Sequence, residues 1–321
     1  MLANQQRKGF PARWPAAILA LDHDFGNQEG EATRYDSCFL RPDQSASSFS
    51  DNCLDPALGH AAQQLVFLWG DSHAADLLPG FRALQTRTGF RLAQYTASSC
   101  EPILGRQVPW RPLCRSINDA VIDRIRIVVP DAVIMSADWD ISDLNHDPNV
   151  DDKLQKTIEL VRAAGVRKVV VVGSAPFWSD RVPALLVREI RRNSTGSVPH
   201  RLSRRYLTDH DDSVLMATAE KGGAIFVSIF DKLCNQSSCL VTTGDQWSDL
   251  LTYDSAHFTE YGSKIVVELL WPVIFPRIAA FGLSKSTIVP DGARSQCSTL
   301  LPCNPQGDAR VQVKPIPKPA E

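Results

Sequence analysis

The chain has 321 residues, 44% of them apolar and 22% charged, which supports one domain of roughly 200 to 250 residues with extensions, or two small ones, and excludes wholesale disorder and fibrous repeats. Its 34 Lys and Arg against 36 acidic residues give a net charge of −2, so no general basic field exists to hold nucleic acid and no nucleic-acid partner is expected. The longest apolar runs, such as Ala16–Leu21 and Val169–Val172, fall far short of the ~20 residues that span a bilayer.

In chain order, residues 1–64 show no sustained periodicity and carry turn-formers (Gly26, Asn27, Gly30 and the polar run Ser45–Ser50), the pattern of an irregular extension. From residue 65 to 281 apolar strands alternate with helical stretches. The reading is a strand at Leu65–Trp69, a helix over 74–86, a strand at Arg91–Tyr95, a helix over 116–127 and a strand at Ala132–Ser136. A helix over 151–164, strands at Lys168–Gly173 and Ala224–Ile229, and a closing helix from Glu260 to about Phe281 complete it. Strands of this kind, apolar throughout and separated by helices, predict an α/β fold with a central parallel sheet covered on both faces. Residues 282–321 form a tail rich in Pro and Ser. No internal repeat is evident.

Eight cysteines fall in sequence-close couples: Cys38 with Cys53, Cys100 with Cys114, Cys234 with Cys239, and Cys297 with Cys303. Short loops of this kind read as four local disulfides formed in an oxidising compartment. Zinc is the rival, but only Cys234 and Cys239 approach its ligand spacing. The N-terminus has Arg7, Lys8 and Arg13 but no apolar stretch with a cleavage site, so export is expected to depend on a segment upstream of this chain.

Two motifs carry candidate chemistry. Gly70-Asp71-Ser72-His73 follows the first main strand directly and opens a helix, the corner at which a parallel sheet presents catalytic groups. By itself it reads first as a plain N-cap, since Asp or Ser before a helix is common. Asp254-x-x-His257 stands just ahead of the last helix, whose N-cap is Thr259. A carboxylate three residues before a histidine can accept its Nδ1–H and leave Nε2 to deprotonate a hydroxyl. Taken together, the motifs supply a nucleophile (Ser72), a base (His257) and its orienter (Asp254).

These residues resemble the first and last sequence blocks of the SGNH (GDSL) hydrolase superfamily. The longer forms, Gly70-Asp71-Ser72-His73-Ala74, Cys100-Glu101-Pro102, Cys234 with Cys239, and His257-Phe258-Thr259-x-x-Gly262, are similar to a narrower group. That group is the periplasmic SGNH domain fused to acyltransferase-3 membrane proteins, which O-acetylate bacterial surface polysaccharides. Gly9-Phe10-Pro11-x-Arg13 resembles the linker to the membrane part. The resemblance implies a three-layer α/β/α sandwich (flavodoxin-like), and a serine-dependent O-acyltransferase acting through an acyl-Ser72 on a glycan acceptor. An acetylesterase or carbohydrate deacetylase using the same triad is the alternative, and a glycan-binding domain with a dead triad a third. No cofactor is expected to be bound; the acyl group would be relayed by the membrane domain, in the same polypeptide or a separate chain, ultimately from acetyl-CoA. The domain is then expected to be periplasmic and tethered.

The superfamily's second-block Gly and third-block Gly-x-Asn-Asp, both of which feed the oxyanion hole, are missing. Thr96-Ala97-Ser98-Ser99 and Ser136-Ala137-Asp138-Trp139 stand at those strand ends. The Ser72 backbone N–H is the expected oxyanion donor, with a second donor sought at Ser98 or Ser99. Trp139 could stack on sugar or pack in the core, His73 is expected to support the site, and Trp69 reads as core. Arg181, Arg188, Arg191, Arg192, Arg201, Arg204 and Arg205 crowd one insertion and read as a solvated basic face before an acidic-glycan contact. The five other histidines show no ligand spacing, so no metal is expected.

Overall fold

A computed structural model describes residue 18 and residues 30–57, 63–139, 147, 149–193, 196–208 and 211–276. Six parallel strands form the central sheet: β1 (Phe39–Leu40), β2 (Leu65–Gly70), β3 (Arg91–Ala97), β4 (Ala132–Ser136), β5 (Lys168–Val172) and β7 (Ile225–Val227), in the order β1-β3-β2-β4-β5-β7. Alternation along each strand sends side chains to opposite faces. Leu65, Phe67 and Trp69 enter one core with Val133 and Val169, and Val66 and Leu68 enter the other with Ile134 and Val170. Both faces being buried explains why the strands are mostly apolar, and the buried exceptions Gln94 and Thr96 make hydrogen bonds to Thr33, to each other and to Cys38.

The first core is closed by α3 (Cys114–Val128), α4 (Val150–Ala163) and α6 (Ser213–Lys221). Its opposite face is covered by α2 (Leu78–Thr88), α7 (Ile229–Leu233) and α8 (Glu260–Ile274), with Phe81, Leu84, Val267 and Leu270 buried between them. The result is the three-layer α/β/α sandwich expected from the sequence.

The predicted helix over 74–86 is two helices, α1 (Ser72–Ala75) and α2. Pro79, in the first turn of α2, has no N–H to continue the earlier ladder, so the chain restarts there. The last helix stops at Ile274 instead of Phe281, because Phe275 precedes Pro276 and a pre-proline residue is driven out of the helical region. Residues 277–321 lie outside the described residues, as do the Cys297–Cys303 couple and the Gly9–Arg13 segment.

Among the described residues three disulfides are formed, Cys38–Cys53, Cys100–Cys114 and Cys234–Cys239. Phe39–Leu40 pairs with Thr96–Ala97 of β3 and so belongs to the sheet, although residues 1–64 read as an extension outside it. A two-residue strand carries no periodicity; its place is set by its partner and by the Cys38–Cys53 bond. Buried Arg111 ties this edge to the loop after β3, donating to the carbonyls of Arg41, Pro42, Gln44 and Ser98.

The arginine-rich insertion is folded too. Val182, Leu185, Leu186 and Ile190 lie on one face of α5 (Val182–Asn193) and form a third core with Trp178, Leu202 and Cys239. The antiparallel pair of β6 (Arg201–Ser203) and β8 (Ser238–Leu240) closes this core.

Candidate active site

The chain passes from β2 to β3 on one side and then crosses to β4 on the other, so the sheet switches direction beside β2. Crevices open at the carboxyl ends of strands at such a point. Gly70 ends β2 there with φ of 153°, and a Cβ on it would overlap the Ser136 carbonyl oxygen of β4. Glycine is thus required where the first motif turns off the sheet. Asp71 caps α1, its Oδ1 accepting from the His73 N–H at 2.9 Å. Asp71 Oδ2 accepts from the Asp138 N–H at 2.9 Å, which joins the loops after β2 and β4 across the switch. Ser72 is the first residue of α1, so its N–H has no partner within the helix.

The second motif folds on itself. Asp254 Oδ1 accepts from the N–H groups of Ala256 (2.9 Å) and His257 (2.8 Å), and Asp254 Oδ2 stands 2.7 Å from His257 Nδ1. The other ring nitrogen, Nε2, is 2.9 Å from Ser72 Oγ, across 185 residues of sequence. Phe258 is buried in the second core, and Thr259 caps α8 by accepting from the Gly262 N–H at 2.9 Å. A side chain at Gly262 would overlap the Leu251 carbonyl. The run from His257 to Gly262 therefore fixes where the imidazole sits, by packing and capping.

Burial disfavours a charge on Asp254, yet the hydrogen bond and charge of His257 and the two N–H donors outweigh it, and the carboxyl is lowered to about 2. Burial likewise lowers His257, but the Asp254 hydrogen bond and then the charges of Asp76, Asp254 and Asp71 raise it to about 9. Asp71 is itself pushed up to about 8 by burial, against the lowering by the N–H groups of Asp138 and His73. Being largely protonated at neutral pH, it adds little to the His257 shift there, and Asp254 and Asp76 dominate. His73 stacks on His257 with ring centroids 4.8 Å apart and planes 25° from parallel. Burial, and then the His257 charge, lower His73 to about 3, so it meets the base as a neutral ring.

A model of the SGNH domain that occurs fused to AT3 domains matches residues 37–272. The chain belongs to this SGNH family. Among solved structures, the SGNH domain resembles the periplasmic domain of the Salmonella ser. Paratyphi A lipopolysaccharide acetyltransferase. Identity is 20% and the TM-score 0.68, covering 81% of this chain and 99% of that one. TesA is a more remote likeness, at 16% identity and a TM-score of 0.39 over 66% of this chain and 99% of that one. No curated protein sequence matches the chain.

Other positions singled out in the SGNH sequence have different surroundings. The Ser98 N–H is spent on the Leu40 carbonyl at 2.9 Å, which removes that amide as an oxyanion donor. Ser99 is exposed at φ 50°, beyond the end of β3. Trp139 is buried, with Nε1 donating to the Val172 carbonyl at 2.7 Å, so it packs between β4 and β5 and offers no face to a sugar. Trp69 is core, its indole N–H satisfied by Asn118 Oδ1 at 2.9 Å. Asp76 was missed: its Oδ2 accepts from the Phe258 N–H at 3.1 Å, and its charge pulls on His257. Its place four residues after Ser72, one turn on, was the available signal. Tyr253, with its ring stacked 6.0 Å from His257, was missed too. Among the described residues, no group of three His, Cys, Asp or Glu is placed to hold a metal ion.

Proposed function

We propose that this SGNH domain is an O-acyltransferase that moves an acyl group, acetyl in the first instance, through an acyl-Ser72 to a hydroxyl of a bacterial surface glycan. The observation that carries the reading is the unbroken relay from Ser72 Oγ through the His257 ring to Asp254, at 2.9 and 2.7 Å. Neutral His257 takes the Ser72 proton on Nε2 as Oγ attacks the acyl carbonyl. Asp254 holds Nδ1–H and the charge that then forms on the ring. The imidazolium protonates the leaving group, and the acyl group remains on Oγ. A glycan hydroxyl, deprotonated by His257 in turn, attacks the ester and releases Ser72. The Ser72 N–H is the oxyanion donor this reading uses.

Fusion of the family to AT3 domains supports a membrane partner of that type as the acyl source, in the same polypeptide or a separate chain, drawing ultimately on acetyl-CoA. The likeness to the periplasmic domain of the Salmonella acetyltransferase supports both the acetyl group and the compartment. Three disulfides fit an oxidising compartment. On this reading the domain is periplasmic and tethered. Hydrolysis is the second reading, since the His257 and Asp254 side chains are each 29% exposed and water can reach an acyl-Ser72.

A short incubation with an activated acetate such as p-nitrophenyl acetate, followed by intact-mass and peptide analysis, tests the first half-reaction. One acetyl adduct on the peptide containing Gly70–His73, absent in Ser72→Ala, is expected. An adduct elsewhere, or full activity in Ser72→Ala, refutes both readings. Addition of deacetylated glycan separates them: transfer consumes the adduct into acetylated sugar, whereas hydrolysis yields acetate at a rate the glycan does not change.

A further inference from the structure

The loop that carries Asp254 and His257 is held from outside by the segment between β5 and α5. The Trp178 N–H donates to the Ser255 carbonyl at 2.8 Å, and the Val182 N–H to the Asp254 carbonyl at 3.0 Å. One residue before each of these amides stands a solvent-facing side chain, Phe177 and Arg181. Phe177 is 37% exposed while the adjacent Trp178 is buried, and its backbone is pinned by the Thr208 N–H and hydroxyl on its carbonyl, at 2.9 and 3.3 Å. Phe177 is thus an aromatic ring presented to solvent from a backbone fixed beside the triad loop.

Arg181 is set apart by elimination within the arginine-rich insertion. Arg188 pairs with Asp180, and Arg192 and Arg205 share Glu189. Arg201 donates to the Leu233 and Ser238 carbonyls, Arg204 lies over the Phe230 ring, and Arg191 is engaged as well. Among the described residues, the Arg181 guanidinium has no acidic partner. The nearby Asp254 charge is matched by His257. Among the described residues, the arginine of this insertion with no partner shown is therefore the one beside the triad loop.

We propose that Phe177 and Arg181 form the acceptor subsite, Phe177 stacking on the C–H face of a pyranose ring and Arg181 pairing with a carboxylate or phosphate on that sugar or its neighbour. This deepens the acyltransfer reading and rests on it, by making the acceptor an anionic glycan. A planar guanidinium suits either anion, since it binds oxyanions through two parallel N–H donors.

Binding is measured by calorimetry on the Ser72→Ala protein, so that no turnover interferes. The probes are a uronate-containing oligosaccharide, a phosphorylated one, and the first with its carboxylates reduced to alcohols. Tighter binding of one or both anionic probes is expected, and the preferred probe names the anion. Arg181→Gln should weaken that probe about 10- to 100-fold, the worth of a charge-assisted hydrogen bond, and leave the reduced sugar unchanged; Arg181→Lys should retain part of the preference. Phe177→Ala should weaken all three. Equal binding of charged and reduced probes by the parent protein, or an Arg181→Gln profile identical to the parent's, overturns the subsite. Transfer from acetyl-Ser72 in the active protein separates the two ideas. Transfer to glycans without regard to charge overturns the subsite and leaves the acyltransferase standing. Binding through Arg181 with no transfer to any sugar supports the subsite and removes the acyltransferase reading.

Discussion

Replacing Asp254 by Asn tests the electrostatics of the proposed relay. With His257 at about 9, only about one ring in a hundred is neutral at pH 7, so acetylation of Ser72 should climb nearly tenfold per pH unit from 6.5 towards 9. Asp254, lowered to about 2, stays ionised throughout that range and cannot produce the limb. The Asp254→Asn change would remove both the ring's strongest hydrogen bond and the charge beside it, leaving burial opposed by Asp76 and, as the pH passes about 8, by Asp71, with the stacked rings of His73 and Tyr253 unchanged. The limb should fall by about two units, towards the 6.5 of a free imidazole, which corresponds to about 3 kcal/mol at 1.36 kcal/mol per unit. The plateau should drop as well, by about 10⁴ as in other serine triads. An amide N–H₂ facing Nδ1 favours the tautomer with the proton on Nε2, and that nitrogen can then take none from Ser72. Single-turnover acetylation by p-nitrophenyl acetate between pH 5.5 and 10 reads both effects. A wild-type limb at or below 6.5, or one that Asp254→Asn leaves in place, refutes the reasoning.

His73→Ala should lower the acetylation rate about three- to tenfold through loss of the stacked ring, while His73→Phe restores most of it with an unchanged acid limb, because His73 is neutral at every working pH. Gly70→Ala should cost at least 1–3 kcal/mol, since the Cβ meets the Ser136 carbonyl of the neighbouring strand and no side chain can yield; thermal unfolding checks it. Cys100→Ser with Cys114→Ser should lower the urea-unfolding stability by about 2–4 kcal/mol. Peptide mapping of the parent without reductant should recover the peptide bridged by Cys100–Cys114.

The main strands were legible because a strand buried on both faces is mostly apolar, so Leu65–Gly70 and Lys168–Val172 stand out against their neighbours. Ser72, Asp254 and His257 were legible because each sits in a short motif whose residue types are chemically distinctive. Helix α5 was hidden by composition. Its apolar positions at 182, 185, 186 and 190 keep a helical period, but the intervening arginines drew the reading to charge. Phe39–Leu40 could not be found by any period, since its partner lies more than fifty residues away. What Ser98 and Trp139 do was not legible for one reason: both were singled out from their place at a strand end, and sequence does not say whether an amide there is already bonded or a ring already packed.

The site divides into two halves of different origin. Asp254 and His257 need almost nothing from the rest of the chain to find each other, because one carboxylate oxygen takes the two following N–H groups and the other is left facing the ring. Ser72 is likewise placed locally, by Gly70 at the sheet and Asp71 at the helix cap. What neither half supplies is their separation from one another. That is set by α2 against α8, where the Gly80 N–H donates to Ser263 Oγ at 2.9 Å, and by Asp76, one turn beyond Ser72, receiving the Phe258 N–H. Both contacts bridge more than 180 residues and neither touches the reacting atoms. An error of about 1 Å in such a separation is enough to cost about a hundredfold in rate. The 2.9 Å between Nε2 and Oγ is thus a property of the sandwich, and the motifs can be intact in a sequence whose helices do not pack closely enough to use them.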